Sequence, residues 1–132
     1  MAEAHKKDNW VDLEIKLPEK YLQWLKDNVP TDDIKETPKP HITLLYGFDP
    51  LRFDEVKAIV DAENIQASDY MFGDVRLGDV SPVYLVGIKS EKLDALFWKL
   101  YKQFPNQHTL IAGKFDPHVT LCWLKDWPAK KQ

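Results

Sequence analysis

The 132 residues suit one domain, and 44% hydrophobic with 30% charged content reads as a folded chain with a single core. A formal charge of −3 speaks against coating long duplex nucleic acid with cations, yet allows a small nucleotide or oligonucleotide substrate held by a local set of donors. One cysteine, Cys122, excludes an internal disulfide, and no Cys/His spacing suits zinc.

The polar stretch Met1 to Asn9 has no apolar core of a signal peptide, and no apolar run approaches the roughly 20 residues of a membrane span. The expectation is a cytoplasmic protein without a membrane partner, its oligomeric state left open.

Residues 1–8 read as a frayed polar lead-in. Residues 10–17 alternate, with Val11, Leu13, Ile15 and Leu17 on one face and Trp10, Asp12, Glu14 and Lys16 on the other, the pattern of a half-buried strand. Pro18 suits a helix start, and Tyr21, Leu22 and Leu25 continue with helical spacing. Residues 29–40, with three prolines and two aspartates, read as a loop. Residues 41–46 form an apolar, β-favouring run ended by Gly47. Residues 51–62 put Phe53, Val56, Ile59 and Val60 on one helical face. Two strands follow at 72–79 and 83–88, divided by Ser81-Pro82.

Ser90 is a good N-cap for the strongest helix in the chain, where Leu93, Leu96, Phe97, Leu100, Tyr101 and Phe104 share a face. Pro105 and Asn106 break it, a loop runs to Phe115, and a last strand spans 118–124. The tail from Asp126 is polar. The order β-α-β-α-β-β-α-β predicts an α+β fold in one domain spanning 1–132, with helices on one side of a sheet system.

One pattern occurs twice. Pro40-His41-Ile42-Thr43-Leu44 matches Pro117-His118-Val119-Thr120-Leu121, more than half the chain away. Each copy opens a strand after a loop, as duplication of a strand–helix–strand half would produce. Within a strand, residues i and i+2 share a face. His41 therefore sits beside Thr43, and His118 beside Thr120, with Ile42, Leu44, Val119 and Leu121 facing the opposite way.

If the two strands are neighbours, two imidazoles and two hydroxyls converge. That set suits phosphodiester cleavage. A neutral imidazole takes a proton from the attacking hydroxyl or water while an imidazolium protonates the leaving oxygen, roles that suit a side chain of unperturbed pKa about 6.5. Threonine hydroxyls can donate to the non-bridging oxygens, where charge gathers. No metal or other cofactor is required, and two histidines with no third ligand in the motif make a poor metal cage.

The paired His-x-Thr motifs resemble those of the two-histidine (2H) phosphoesterase superfamily, which includes LigT-like cyclic phosphodiesterases, viral 2′-5′ phosphodiesterases and phage anti-CBASS nucleases. The resemblance covers about residues 10–125 by motif placement and element order. It implies a bilobal fold of two pseudo-symmetric β-α-β halves around a central groove, helices outside, and metal-free hydrolysis with His41, Thr43, His118 and Thr120 catalytic. The compact length favours the viral or phage nucleotide type, which would act in the host cytoplasm. The alternatives are a 2′,3′-cyclic phosphodiesterase acting on RNA ends and a non-catalytic nucleotide sponge.

Trp10, on the polar face of its strand, is a candidate for stacking on a base; the plain alternative is a partly covered tryptophan near a terminus. Lys114 is a candidate phosphate contact, or else a solvated loop lysine. Strand parity assigns Tyr46 and Trp123 to the core side, opposite the histidines. It assigns Cys122 to the histidine side, as floor packing and not as a nucleophile.

Overall fold

The computed structural model describes residues 4–7, 10–46, 48–104 and 115–128, with the backbone alone for residues 4–7 and Trp10. In chain order the described elements are β1 (Ala4–Lys7), β2 (Trp10–Glu14), α1 (Glu19–Asn28), β3 (Ile34–Glu36), β4 (His41–Tyr46), α2 (Phe53–Glu63), β5 (Met71–Leu77), β6 (Val83–Lys89), α3 (Glu91–Gln103) and β7 (His118–Leu124). The strands form one antiparallel sheet in the order β1-β2-β4-β7-β6-β5, with β3 beside β7. The order is symmetric about the β4–β7 seam, so β2 corresponds to β6 and β1 to β5. None of the described helices is long and apolar enough to cross a membrane.

Local chemistry accounts for the helix limits. The Ser90 hydroxyl accepts from the Leu93 amide at 3.0 Å and caps α3, an interaction worth about 1 kcal/mol. Asn64 ends α2 in the left-handed region at φ 52°, where asparagine is tolerated better than most residues. Leu93, Leu96, Phe97 and Leu100 of α3 are all buried, as their spacing predicts.

Two strands are absent from the sequence reading. Ala4–Lys7, read as a lead-in, pairs with β2 as an edge strand. Its sequence, Ala-His-Lys-Lys, has no apolar alternation to announce it, and lysines are common on sheet edges, where they oppose aggregation. Ile34–Glu36, read as loop, is a three-residue strand against β7.

The three helices cover one face of the sheet. Residues of α2 and α3 pack with Val11, Leu13, Ile42, Leu44, Leu45 and Val119. Tyr21, Leu25 and Val29, from α1 and the residue after it, pack with Val86, Leu121, Cys122 and Leu124. Val86 and Val119 are register partners, so both clusters lie on the same side. The halves are interleaved: α1 follows β2 but packs beneath the strands of the second half, and α3 follows β6 but packs beneath those of the first.

The strict alternation assumed for β4 and β7 fails, in both strands and at the same step. Along β4 the partners run Asp12↔Thr43 and then Val11↔Leu45, so Leu44 is an extra residue. Along β7 they run Leu85↔Thr120 and then Tyr84↔Cys122, so Leu121 is extra. Each is a β-bulge, in which two residues oppose one. Beyond the bulge the faces exchange.

Cys122 is therefore not beside the histidines but fully buried in the core beneath the sheet. Trp123 is not core: it lies on the histidine face and is 37% exposed. Tyr46 likewise moves to the histidine face, register partner of Trp10, and is half-buried.

Burial also pushes the Cys122 thiol above its ordinary pKa, keeping it in the neutral, unreactive form. The free thiol should therefore resist an aromatic disulfide reagent in the native protein and react fully in denaturant. Rapid native labelling would return Cys122 to the open face.

Candidate active site

Proline precedes each histidine and fixes the approach of the chain. The Pro40 carbonyl accepts from the Ile15 amide at 3.1 Å, and the Pro117 carbonyl accepts from the Ile88 amide at 2.9 Å. These matched bonds pin the start of β4 to the end of β2 and the start of β7 to the end of β6.

Each ring then turns back on the residue two before it. His41 Nδ1 lies 2.8 Å from the Lys39 carbonyl oxygen, and His118 Nδ1 lies 2.9 Å from that of Asp116. A carbonyl oxygen only accepts, so Nδ1 carries the proton in both rings. Nε2 is then the atom left to exchange protons, as acceptor in the neutral ring and donor in the charged one.

Side chains brace both anchors. Lys39 Nζ is 3.1 Å from Glu14 Oε2, and Arg76 donates to Asp116 Oδ2 at 2.8 Å. The residue two before each histidine thus has its carbonyl on the ring and its side chain in an ion pair with another strand. The polarity is reversed between the halves. These pairs are largely exposed and add little stability; their effect is to orient the loop that holds the ring.

The strands β4 and β7 meet at one pair, Ile42↔Val119. The two motifs run antiparallel about that pair, so His41 and Thr120 lie to one side of it and Thr43 and His118 to the other. All four side chains are half-buried, on the face without helices. A tetrahedral phosphorus between the rings would have a proton acceptor on one flank, a proton donor on the other, and hydroxyl donors from both threonines.

The surroundings differ between halves. His41 has Glu14 as cross-strand partner, and Thr43 has the buried Asp12. His118 has Gly87 and Thr120 has Leu85. Among the described residues, a Cβ added at Gly87 would meet nothing within 4 Å, so no side chain on the neighbouring strand crowds His118. Among the described residues, no group of three or more His, Cys, Asp and Glu is assembled to hold a metal ion.

The family model described as the 2′-5′ RNA ligase superfamily matches residues 18–131. The chain belongs to that superfamily. Its antiparallel sheet with helices on one face and two pseudo-symmetric halves is the two-histidine phosphoesterase fold. No curated protein and no solved structure gives a significant match.

Of the residues singled out in this superfamily member from sequence, His41, Thr43, His118 and Thr120 are brought together. The backbone of Trp10 enters the same sheet opposite Tyr46, and its side chain is not described. Lys114 lies outside the described residues. Sequence reasoning missed Lys39 and Asp116, although their matching positions two before each histidine were a usable signal. It also missed Arg76, which nothing in its local sequence marks.

The carbonyl anchors make a direct spectroscopic expectation. In long-range ¹⁵N–¹H spectra at high pH, both His41 and His118 should be protonated at Nδ1 with Nε2 bare. An Nε2–H tautomer for either ring would contradict the anchored geometry.

Proposed function

We propose that the protein is a metal-independent phosphodiesterase of the 2H type, hydrolysing nucleotide phosphodiester bonds in 2′-5′-linked or cyclic oligonucleotides. The observation that carries this reading is the matched pair of imidazoles, each held through Nδ1 by the carbonyl two residues upstream, on either side of the Ile42–Val119 seam.

In the forward step one neutral Nε2 takes the proton of the attacking water or hydroxyl, whose oxygen bonds to phosphorus. The bond to the leaving oxygen breaks, and the other ring, an imidazolium, gives that oxygen its Nε2 proton. Thr43 and Thr120 donate hydrogen bonds to the non-bridging oxygens as charge develops there. The ring that gained a proton and the ring that lost one return to their starting states through solvent.

The superfamily's description favours a second direction for the same chemistry. A hydroxyl attacking a 2′,3′-cyclic phosphate forms a linked product by the reverse proton transfers, with the histidines exchanging roles. Action on cyclic phosphates at RNA ends fits the same dyad. The viral or phage setting and the cytoplasmic location belong to this reading through the sequence resemblance alone.

The test is turnover on a panel of 2′-5′ and cyclic oligonucleotides and 2′,3′-cyclic nucleotides, followed by chromatography. His41→Ala and His118→Ala should each lower kcat by about 10²–10⁴-fold. The double variant should fall far short of the product of the two losses, since the rings act as one unit. The rate should be bell-shaped in pH, because one ring must be neutral and the other charged. Near-wild-type turnover by either single variant would sink the two-histidine mechanism.

Because the dyad supplies both proton transfers, activity should also survive excess EDTA. Loss in chelator with recovery on adding a divalent ion would show that the dyad is insufficient.

A further inference from the structure

The second half of the sheet carries a cation that the proton transfers do not use. Arg76 is the register partner of Leu85, which is in turn the partner of Thr120. Its chain neighbours Val75 and Leu77 pack against the core on the helix side, so Arg76 rises on the face of the histidines. There it donates to Asp116 Oδ2 at 2.8 Å, and the Asp116 carbonyl oxygen lies 2.9 Å from His118 Nδ1. One residue thus contacts both the guanidinium and the imidazole.

The Asp116 contact occupies a small part of Arg76. A guanidinium has five N–H donors in a planar fork. Among the described residues, Arg76 engages one nitrogen of that fork, Nη2, in a side-chain hydrogen bond. Both side chains of the pair are well exposed, at 46% and 44%, so the pair adds little stability. The rest of the fork can serve a second anion, and paired bonds to phosphate oxygens are the contact its geometry suits.

The two flanks of the histidine pair place their charges differently. On β2 the register partners of His41 and Thr43 are carboxylates, Glu14 and Asp12. On β6 the partners of His118 and Thr120 are Gly87 and Leu85, which carry no charge, and the next strand out brings Arg76. An anionic chain leaving the scissile phosphate therefore meets like charge at once on the β2 side and bare backbone at Gly87 on the β6 side. Asp74 is exposed in the β5 bulge between Phe72 and Val75. Its charge directs such a chain away from the bulge, toward Leu85 and Arg76.

We propose that Arg76 binds a second phosphate of the substrate, and that the site takes nucleotides carrying at least one phosphate beyond the scissile diester. The inference rests on the phosphodiesterase reading and narrows it. The substrate runs from the histidines past Gly87 and presents its next phosphate to the guanidinium. Arg76 is a binding residue in this account and takes no part in proton transfer. Its bond to Asp116 keeps the fork beside His118.

The experiment compares substrates that differ by one terminal phosphate. They are diadenosine monophosphate in 2′-5′ and in 3′-5′ linkage, bare or phosphorylated at either end, and adenosine 2′,3′-cyclic phosphate with and without a 5′-phosphate. Steady-state kinetics are measured for the wild-type protein, Arg76→Gln, Arg76→Lys and Lys39→Gln. For the wild type, a phosphate at one end should raise kcat/KM by about 10-fold, the gain expected of a charge-assisted contact. The gain should fall mainly on KM, because a phosphate remote from the reacting bond is held equally in ground and transition states. It should shrink as salt is raised, since the contact is exposed.

Arg76→Gln should remove the preference, and Arg76→Lys should keep part of it. Lys39→Gln, which breaks the corresponding ion pair of the other half, should keep all of it. A residue that merely braced Asp116 would lower every substrate by the same factor and leave the preference unchanged. Each preference is a ratio measured on one preparation, so partial unfolding of a variant cancels from it.

The inference is overturned if the wild type shows no preference for a terminal phosphate, if the preference survives in Arg76→Gln, or if Lys39→Gln abolishes it. Histidine-dependent turnover without any such preference overturns it while leaving the phosphodiesterase reading intact. No turnover of any phosphodiester would remove both.

Discussion

The contact on which the site depends is the pairing of Ile42 with Val119. Each is the residue between histidine and threonine in its pentapeptide, both are fully buried, and this is the one register pair that joins β4 to β7. Burying two such side chains is worth about 1.5–3 kcal/mol each. Their larger consequence is geometric. An antiparallel pairing at the middle residue puts His41 and Thr120 to one side of it and Thr43 and His118 to the other. Had the seam slipped by one residue, every side chain near it would change faces.

The seam is held from below by exchange of helices between halves. Residues of α1 pack against Val86, Leu121 and Cys122, and residues of α3 pack with Leu13, Ile42 and Leu44. The helix that follows β2 and the helix that follows β6 thus each pack beneath the opposite half, while α2 joins α3 beneath β1 and β2. Their positions are therefore coupled through a shared core, which is close-packed and resists small displacements. Proton transfer needs that rigidity, since the donor and acceptor must stay within hydrogen-bond reach of one substrate.

Above the seam, backbone groups repeat and side chains diverge. The proline carbonyls accept from Ile15 and Ile88, and the carbonyls of Lys39 and Asp116 accept from the rings. Main-chain bonds of this kind survive drift in sequence because any residue can supply them. The bracing ion pairs differ in polarity, and the strand beside His41 carries Asp12 and Glu14 where the strand beside His118 carries Leu85 and Gly87. Two halves with one backbone plan thus present different surroundings to the two ends of a substrate.

Legible in the residues alone are the two motifs, the helix carried by Leu93, Leu96, Phe97 and Leu100, and the sharing of one face by each histidine and its threonine. These rest on short-range periodicity, two in a strand and 3.6 in a helix, which a single chain displays directly. The register of β4 on β7, the crossing of the helices and the Arg76–Asp116 brace join residues far apart in the chain, and no local pattern encodes them. The bulges at Leu44 and Leu121 show the difference most sharply. Parity read from the sequence is right up to Thr43 and Thr120 and wrong at Leu45, Tyr46, Cys122 and Trp123. A bulge is a mismatch between two strands, so it exists only once they are paired. Only the tertiary structure could therefore decide which of these side chains joins the core and which stands beside the histidines.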